Sequence, residues 1–289
     1  MKTHAYLIMV HNEPEALKLL LSVLDDSRNK IYIHVDAKST SIQPEKVSKY
    51  CQKASIQYIP SKKMYWAGYS MIDVTLDLLE ASIKDKNTYY HLISGADLPL
   101  KSQDELHAFF LKNEGKEFVS GGKIVNWKIA SRYKYYYNEK WAKYLKRKTH
   151  RIIRYLSAGL QTVLFINRTR KLNIDFYMGG NWFSITHNFA AYVLAQKKFI
   201  KKYFKHTFCA DEVYIPTLLY NSSFKENVSK KMNLRYVDWK RGNPYIWQEK
   251  DYEELTSKDL YFARKFSYEN HPEIMEKLRG KLLSSDEKG

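Results

Sequence analysis

The feature that most constrains this chain is the run Ala5–Val10, unbroken by any charged or small polar residue and followed, after His11, by Asn12-Glu13-Pro14. An apolar run without alternation is the mark of a strand buried on both faces. A proline just inside a helix start is already set for the first turn. Leu17, Leu20, Leu21 and Leu24 then recur at helical spacing. The unit repeats: Ile31–Val35 ends at Asp36, Ile56–Ile59 reads as a third strand, and Met71–Ile83 places Ile72, Leu76, Leu79 and Ile83 on one helix face. Tyr89–Ser94 is a fourth strand, running into Gly95-Ala96-Asp97-Leu98-Pro99. Such alternation predicts an α/β fold with a doubly wound, Rossmann-like, mostly parallel sheet flanked by helices. After Asp175 the pattern resumes through Trp182–Ile185, a helix near Phe189–Ala195, a strand at Leu234–Val237 and a helical tail beyond about residue 270. With no repeat and no linker, residues 1–289 read as one domain.

The residues just after the first strand limit the chemistry. His11-Asn12-Glu13 stands where a dinucleotide fold needs glycines, and no Walker sequence is present. The formal net charge of +17 asks for an anionic partner: nucleic acid, anionic lipid or a phosphate-bearing substrate. The 24 Tyr and 6 Trp suit sugar binding, because each offers a flat apolar face with a polar tip, or else reflect a Tyr-rich surface. Two cysteines, Cys51 and Cys209, suggest no disulfide framework. The N-terminal apolar run is too short for a signal peptide or a membrane span. Location in the cytoplasm is expected, with attachment to the inner membrane face left open.

Lys140–Lys171 differs from the rest: ten Lys or Arg, no acid, and Trp141, Leu145, Ile152, Leu156, Leu160 and Val163 at helical spacing. It reads either as an amphipathic helix on an anionic membrane or as a solvated helix packed on the domain.

Three carboxylate positions stand out. Asp36 and Asp97 end predicted strands, where open α/β sheets bind ligands and where turn or cap residues also sit. Asp211-Glu212 precedes the apolar stretch Val213–Leu219; it suits a first helical turn, and equally a base for a sugar hydroxyl. The chain contains no Asp-x-Asp and no His/Cys cluster at zinc spacing. A diphosphate leaving group would then rely on side chains, with Lys240-Arg241 and Arg264-Lys265 as candidates.

Eight segments occur in order: AYLIMVHNEPEALKLLLSVL, IYIHVDAKS, YWAGYSMIDVTLDLL, YYHLISGADLPLKSQDEL, GGNWFSITHNFAAYVL, CADEVYIPTLL, LRYVDWKRGNPY and DLYFARKF. In these the chain resembles the core-2/I-branching β-1,6-N-acetylglucosaminyltransferase family, which includes protein xylosyltransferases. The resemblance implies a variant GT-A fold without the metal-binding Asp-x-Asp. It further implies inverting, metal-independent transfer from a UDP-sugar to a glycan hydroxyl, in cell-surface polysaccharide or glycoconjugate synthesis. Glu212 falls on the family's base. Lys265 falls on the lysine at the donor phosphates, with Arg241 or Lys240 sharing that role. Asp36 maps to the nucleoside pocket, and His11, Asp97 and Arg264 are placed with it on the donor side. Trp239 maps to the acceptor side, with Trp182 and Arg132.

The expected donor is UDP-N-acetylglucosamine, with UDP-xylose as the alternative; no cofactor or metal is expected, and the acceptor is a glycan or lipid-linked glycan. Family members in mammals carry a membrane anchor and disulfides, so this chain resembles a bare bacterial catalytic domain. A competing expectation is a non-enzymatic glycan- or nucleic-acid-binding module, for which SRYKYYYNEKW interleaves aromatics with cations. The strand-end carboxylates favour the transferase and no nucleic-acid partner.

Overall fold

A computed structural model describes residues 2–137, 147–231 and 234–286. The first half supplies β1 (His4–Val10), α1 (Pro14–Val23), β2 (Asn29–Val35), α2 (Pro44–Val47), β3 (Ser55–Tyr58), α3 (Tyr69–Ile83), β4 (Tyr89–Ser94), β5 (Asp97–Pro99), α4 (Gln103–Lys112), β6 (Gly122–Lys123) and α5 (Trp127–Lys134). The second supplies α6 (Arg147–Val163), β7 (Tyr177–Met178), β8 (Ser184–Thr186), α7 (His187–Ala195), α8 (Lys197–Phe204), α9 (Tyr214–Tyr220), β9 (Arg235–Val237), α10 (Tyr252–Ser257), β10 (Phe262–Arg264) and α11 (Pro272–Asp286).

The main sheet has the order β3-β2-β1-β4-β8, with the first four strands parallel and β8 antiparallel. Strand β1 is buried along its whole length, and its two faces feed two cores. Tyr6, Ile8 and Val10 pack with Leu17 and Leu20 of α1 and with Ile274 and Leu278 of α11. Ala5, Leu7 and Met9 pack with Ile72, Leu76 and Leu79 of α3 and with Phe189 and Val193 of α7. A strand with helices on both sides has no face left for polar residues, which is why its sequence does not alternate. Truncating a member such as Ile8 or Leu76 to Ala belongs to the class that costs about 2–5 kcal/mol.

The doubly wound expectation is met. After β3 the chain returns to the other side of β1 to form β4, so the winding reverses between β1 and β4, and ligands favour the crevice at the carboxyl ends of such strands. A second sheet, β5-β10-β9, is not expected from the sequence. Asp97 does not close β4; it opens β5 and pairs with Arg264. Buried Arg235 of β9 joins the sheets by donating to the Leu92 and Phe183 carbonyls and the Ser184 hydroxyl.

Nor does Asp211-Glu212 open an α-helix. Ala210–Glu212 form a 3-10 turn, and α9 begins at Tyr214. Pro216 supplies the reason: it has no N–H to give the carbonyl four residues back, and its ring crowds that carbonyl. The residue four back is Glu212, whose carbonyl instead accepts from Gly179 N–H at 2.8 Å.

Candidate active site

Three groups of the expected residues are brought together. The first lies at the ends of β1 and β2. Asp36 is buried, and its Oδ1 accepts from the N–H groups of Lys38 (3.0 Å) and Met64 (3.3 Å). Its Oδ2 faces His11 Nδ1 at 3.4 Å and Lys38 Nζ at 3.3 Å. The carboxylate therefore fixes the 62–64 loop and still presents charge at the strand end.

The second group joins the two sheets. Asp97 is buried; it accepts from Ser94 N–H at 2.5 Å and from Arg264 Nη1 at 3.1 Å. That guanidinium also donates to Ser94 Oγ at 2.6 Å and lies over the Trp182 ring, 4.6 Å from its centroid. Next to it, the Lys265 carbonyl accepts from Trp247 N–H at 3.0 Å. The Lys265 side chain is half-buried, and its ammonium forms no ion pair among the described residues.

Of the other dibasic pair, Arg241 is committed. Its guanidinium is shared among Asp238, Asp251 (2.9 Å) and Glu254 (2.8 Å), and it lies over the Tyr245 ring. Exposed Lys240 forms no ion pair among the described residues. Trp239 is exposed.

The third group holds the carboxylate of interest. Glu212 is partly exposed, and its Oε2 lies 2.9 Å from Nη1 of Arg132 on α5. Cys209, in the left-handed region at φ 50°, turns the chain into this segment and donates its N–H to the Ala67 carbonyl at 2.9 Å. Asp211 is packed beside Glu212 with its Oδ1 unpartnered; burial, aided by the Glu212 charge, pushes its carboxyl up to about 7.

Some residues of this neighbourhood carry no obvious motif. Glu13, at φ 59°, accepts from the Ser267 hydroxyl at 2.9 Å and from Tyr268 N–H at 2.5 Å, so the end of β1 anchors the segment that carries Lys265. A Cβ at Gly179 would lie 1.7 Å from the Ser120 carbonyl oxygen. The paired glycines Gly121-Gly122 and Gly179-Gly180 are the signal in the sequence, since glycine permits close backbone approach. Gly179 in turn bonds Glu212 and stands three residues before Trp182, at most about 11 Å along the chain. Trp66 is 70% exposed and edge-on to Phe208 at 6.0 Å, four residues before Glu212.

Among the described residues no group of three or more His, Cys, Asp or Glu is placed to hold a metal ion. Part of the SRYKYYYNEKW stretch, from residue 138, lies outside the described residues.

The family model of the Core-2/I-Branching enzyme matches residues 4–261. Xylosyltransferase 2 of Canis lupus familiaris is 25% identical over 313 residues, covering 97% of this chain and 34% of the relative. Beta-glucuronosyltransferase GlcAT14A of Arabidopsis thaliana is 21% identical over 301 residues, covering 97% and 64%. The chain thus spans about a third of the length of such xylosyltransferases. Mouse Xyloside xylosyltransferase 1 in its apo form covers 91% of this chain and is 11% identical, with a TM-score of 0.39. With the match running from β1 to the threshold of β10, past Asp36, Asp97 and Glu212, the chain belongs to the Core-2/I-Branching enzyme family.

Proposed function

We propose that this chain is a variant GT-A glycosyltransferase that moves a sugar from a UDP-sugar to a glycan hydroxyl, with inversion and without a metal ion. The observation that carries the proposal is Glu212: a partly exposed carboxylate held at one oxygen by Arg132 and fixed through its backbone to Gly179. Oε1 is left to accept an acceptor hydroxyl. As that proton passes to Glu212, the acceptor oxygen bonds to the anomeric carbon from the face opposite the diphosphate. The bond from that carbon to the phosphate oxygen breaks, and UDP departs with the electron pair. General-base assistance of this kind contributes about 10²–10⁴-fold.

Charge builds on the leaving diphosphate, and the sequence has no Asp-x-Asp to bring a cation to it. Lys265 takes that role, with Lys240 in support, since both ammonium groups are free of ion pairs among the described residues. Arg264 acts indirectly: clamped by Asp97 and Ser94, it sets the start of the Lys265 segment and lies over Trp182. Asp36 and His11 receive the nucleoside; Trp66 and Trp239 offer flat faces to the acceptor.

N-acetylglucosamine is the donor sugar expected from the family resemblance. A second reading, UDP-xylose, is favoured by the xylosyltransferase names among the relatives. UDP release from UDP-N-acetylglucosamine, UDP-xylose and UDP-glucuronic acid decides between them. The test of the whole proposal is thermal: UDP in the presence of EDTA raises the Tm, and NAD does not. No shift with UDP under those conditions contradicts it.

A further inference from the structure

Helix α6 is amphipathic, but it is mounted the wrong way round for a surface helix. Ile152, Leu156, Leu160 and Val163 fall within an arc of about 80°, and they are 58%, 68%, 61% and 73% exposed. Leu164 and Phe165 extend the patch at 58% and 87% exposed. The opposite face holds the helix to the protein. Ala158 is fully buried, the Gln161 amide brackets the Tyr136 backbone (2.8 and 3.0 Å), and Arg154 lies 4.1 Å from the centre of the Phe208 ring. A surface helix ordinarily turns its apolar stripe inward. Here the polar and small residues do the packing.

We propose that this face docks the protein on an anionic lipid bilayer. A contiguous patch of large apolar side chains calls for a cover, and charge selects which. From residue 140 to 171 there are ten Lys or Arg and no acid. A second copy meeting this face across a two-fold axis would bring like charges together. An anionic bilayer satisfies both features at once: the stripe sinks about 5–10 Å toward the acyl boundary, and the net positive charge of the segment is attracted to the headgroups. No helix among the described residues is long and apolar enough to cross a membrane. Contacts continue from the anchoring side of α6 to Glu212. Phe208, under Arg154, gives its N–H to the Arg132 carbonyl at 2.9 Å, and Arg132 holds Glu212. Docking therefore ties the bilayer-facing helix, through its anchoring side, to the residue that holds Glu212.

Vesicle flotation tests this without any turnover, so its outcome is separate from that of the transferase reading. Vesicles of phosphatidylcholine with about a third phosphatidylglycerol carry the wild-type protein up the gradient, and pure phosphatidylcholine carries at least about tenfold less. The variant Ile152→Ser with Leu156→Ser and Leu160→Ser loses binding by on the order of a hundredfold, because the exposed stripe supplies the insertion. Its Tm stays at the wild-type value. Phe165→Ser, a single exposed change beside the stripe, weakens binding several-fold and serves if the triple variant fails to fold. Undiminished flotation of these variants overturns the proposal, as does a wild-type protein that ignores anionic vesicles. A dimer in light scattering that the stripe variants dissolve overturns it too, by assigning the face to a second copy.

Discussion

Arg132 grips one oxygen of Glu212 and leaves the other open: Nη1 stands 2.9 Å from Oε2, and Oε1 accepts no hydrogen bond among the described residues. The contact joins α5 to a turn 80 residues later in the chain. It sets the direction of the carboxylate while leaving room for a substrate hydroxyl. Replacing Arg132 by Met removes a charge-assisted hydrogen bond, a class worth about 1.5–3 kcal/mol, so kcat/KM falls about 10- to 100-fold. Lysine, which keeps the charge but not the fork, restores part of the loss. Equal rates for wild type and the Met variant would remove Arg132 from the site.

Lys265 and Arg241 look alike in sequence and differ in the structure. Lys265→Ala weakens UDP binding and slows turnover by roughly 10- to 100-fold, the loss of one charge-assisted phosphate contact. Arg241→Ala acts instead on stability, because it strands Asp238, Asp251 and Glu254 around an empty centre. Isothermal titration with UDP and a melting curve for each variant separate the two roles. A reversed pattern assigns the phosphates to Arg241.

Two glycines make opposite predictions. Gly179→Ala drives a methyl into the Ser120 carbonyl and forces the β7 segment away from Glu212, so both Tm and activity drop sharply. Gly280→Ala, in α11, meets nothing within 4 Å and stabilises by about 0.5–1 kcal/mol through its helix propensity. Urea unfolding of both variants checks the pair.

Buried Glu117 makes stability depend on pH. It accepts from Thr186 N–H at 2.9 Å and from the Thr186 hydroxyl at 2.5 Å, and burial pushes its carboxyl up to about 7. In the unfolded chain a glutamate titrates near about 4.3. Between those values the folded protein holds a proton that the unfolded chain has released. Stability from this group therefore falls as pH rises from about 4 to about 7, by roughly 3 kcal/mol, and then levels off. Glu117→Gln flattens that slope. The histidines run the other way: burial holds His4 and His91 low and takes His107 to about 4. They stay neutral in the fold while the unfolded chain protonates below about 6.5, so their contribution is lost as pH drops through that range. Denaturant midpoints from pH 4.5 to 8 for wild type and Glu117→Gln test both signs.

The parts of the fold legible in the sequence are those set by local periodicity. Ala5–Val10, Ile31–Val35 and Tyr89–Ser94 all appear as strands because burial on both faces leaves an apolar run. Asp97 is not legible as a β5 residue because its partner is 167 residues away: β5 exists only where Arg264 and its neighbours pair with it. Local pattern suits Glu212 to a first helical turn, although Pro216, four residues on, forbids that carbonyl its helical bond. The apolar stripe of α6 is visible in its spacing, but its direction is not, because the anchoring residues Phe208 and Tyr136 belong to other segments. Residues 140–146 of the basic stretch, with Lys140, Lys143 and Lys146 and with Trp141 and Leu145 of its expected stripe, lie outside the described residues. Glu13 is legible only as part of a helix start; its hold on Ser267 and Tyr268 is not, since those partners lie more than 250 residues on.

The most direct test of the account is the rate of UDP release by wild type and Glu212→Gln, measured in EDTA with the donor identified by the UDP-sugar screen. Glutamine keeps the size of the side chain and cannot take the proton. The account predicts a fall of about 10²–10⁴-fold, with the UDP-induced Tm shift unchanged. Near-normal turnover by Glu212→Gln, with UDP binding intact, would contradict it.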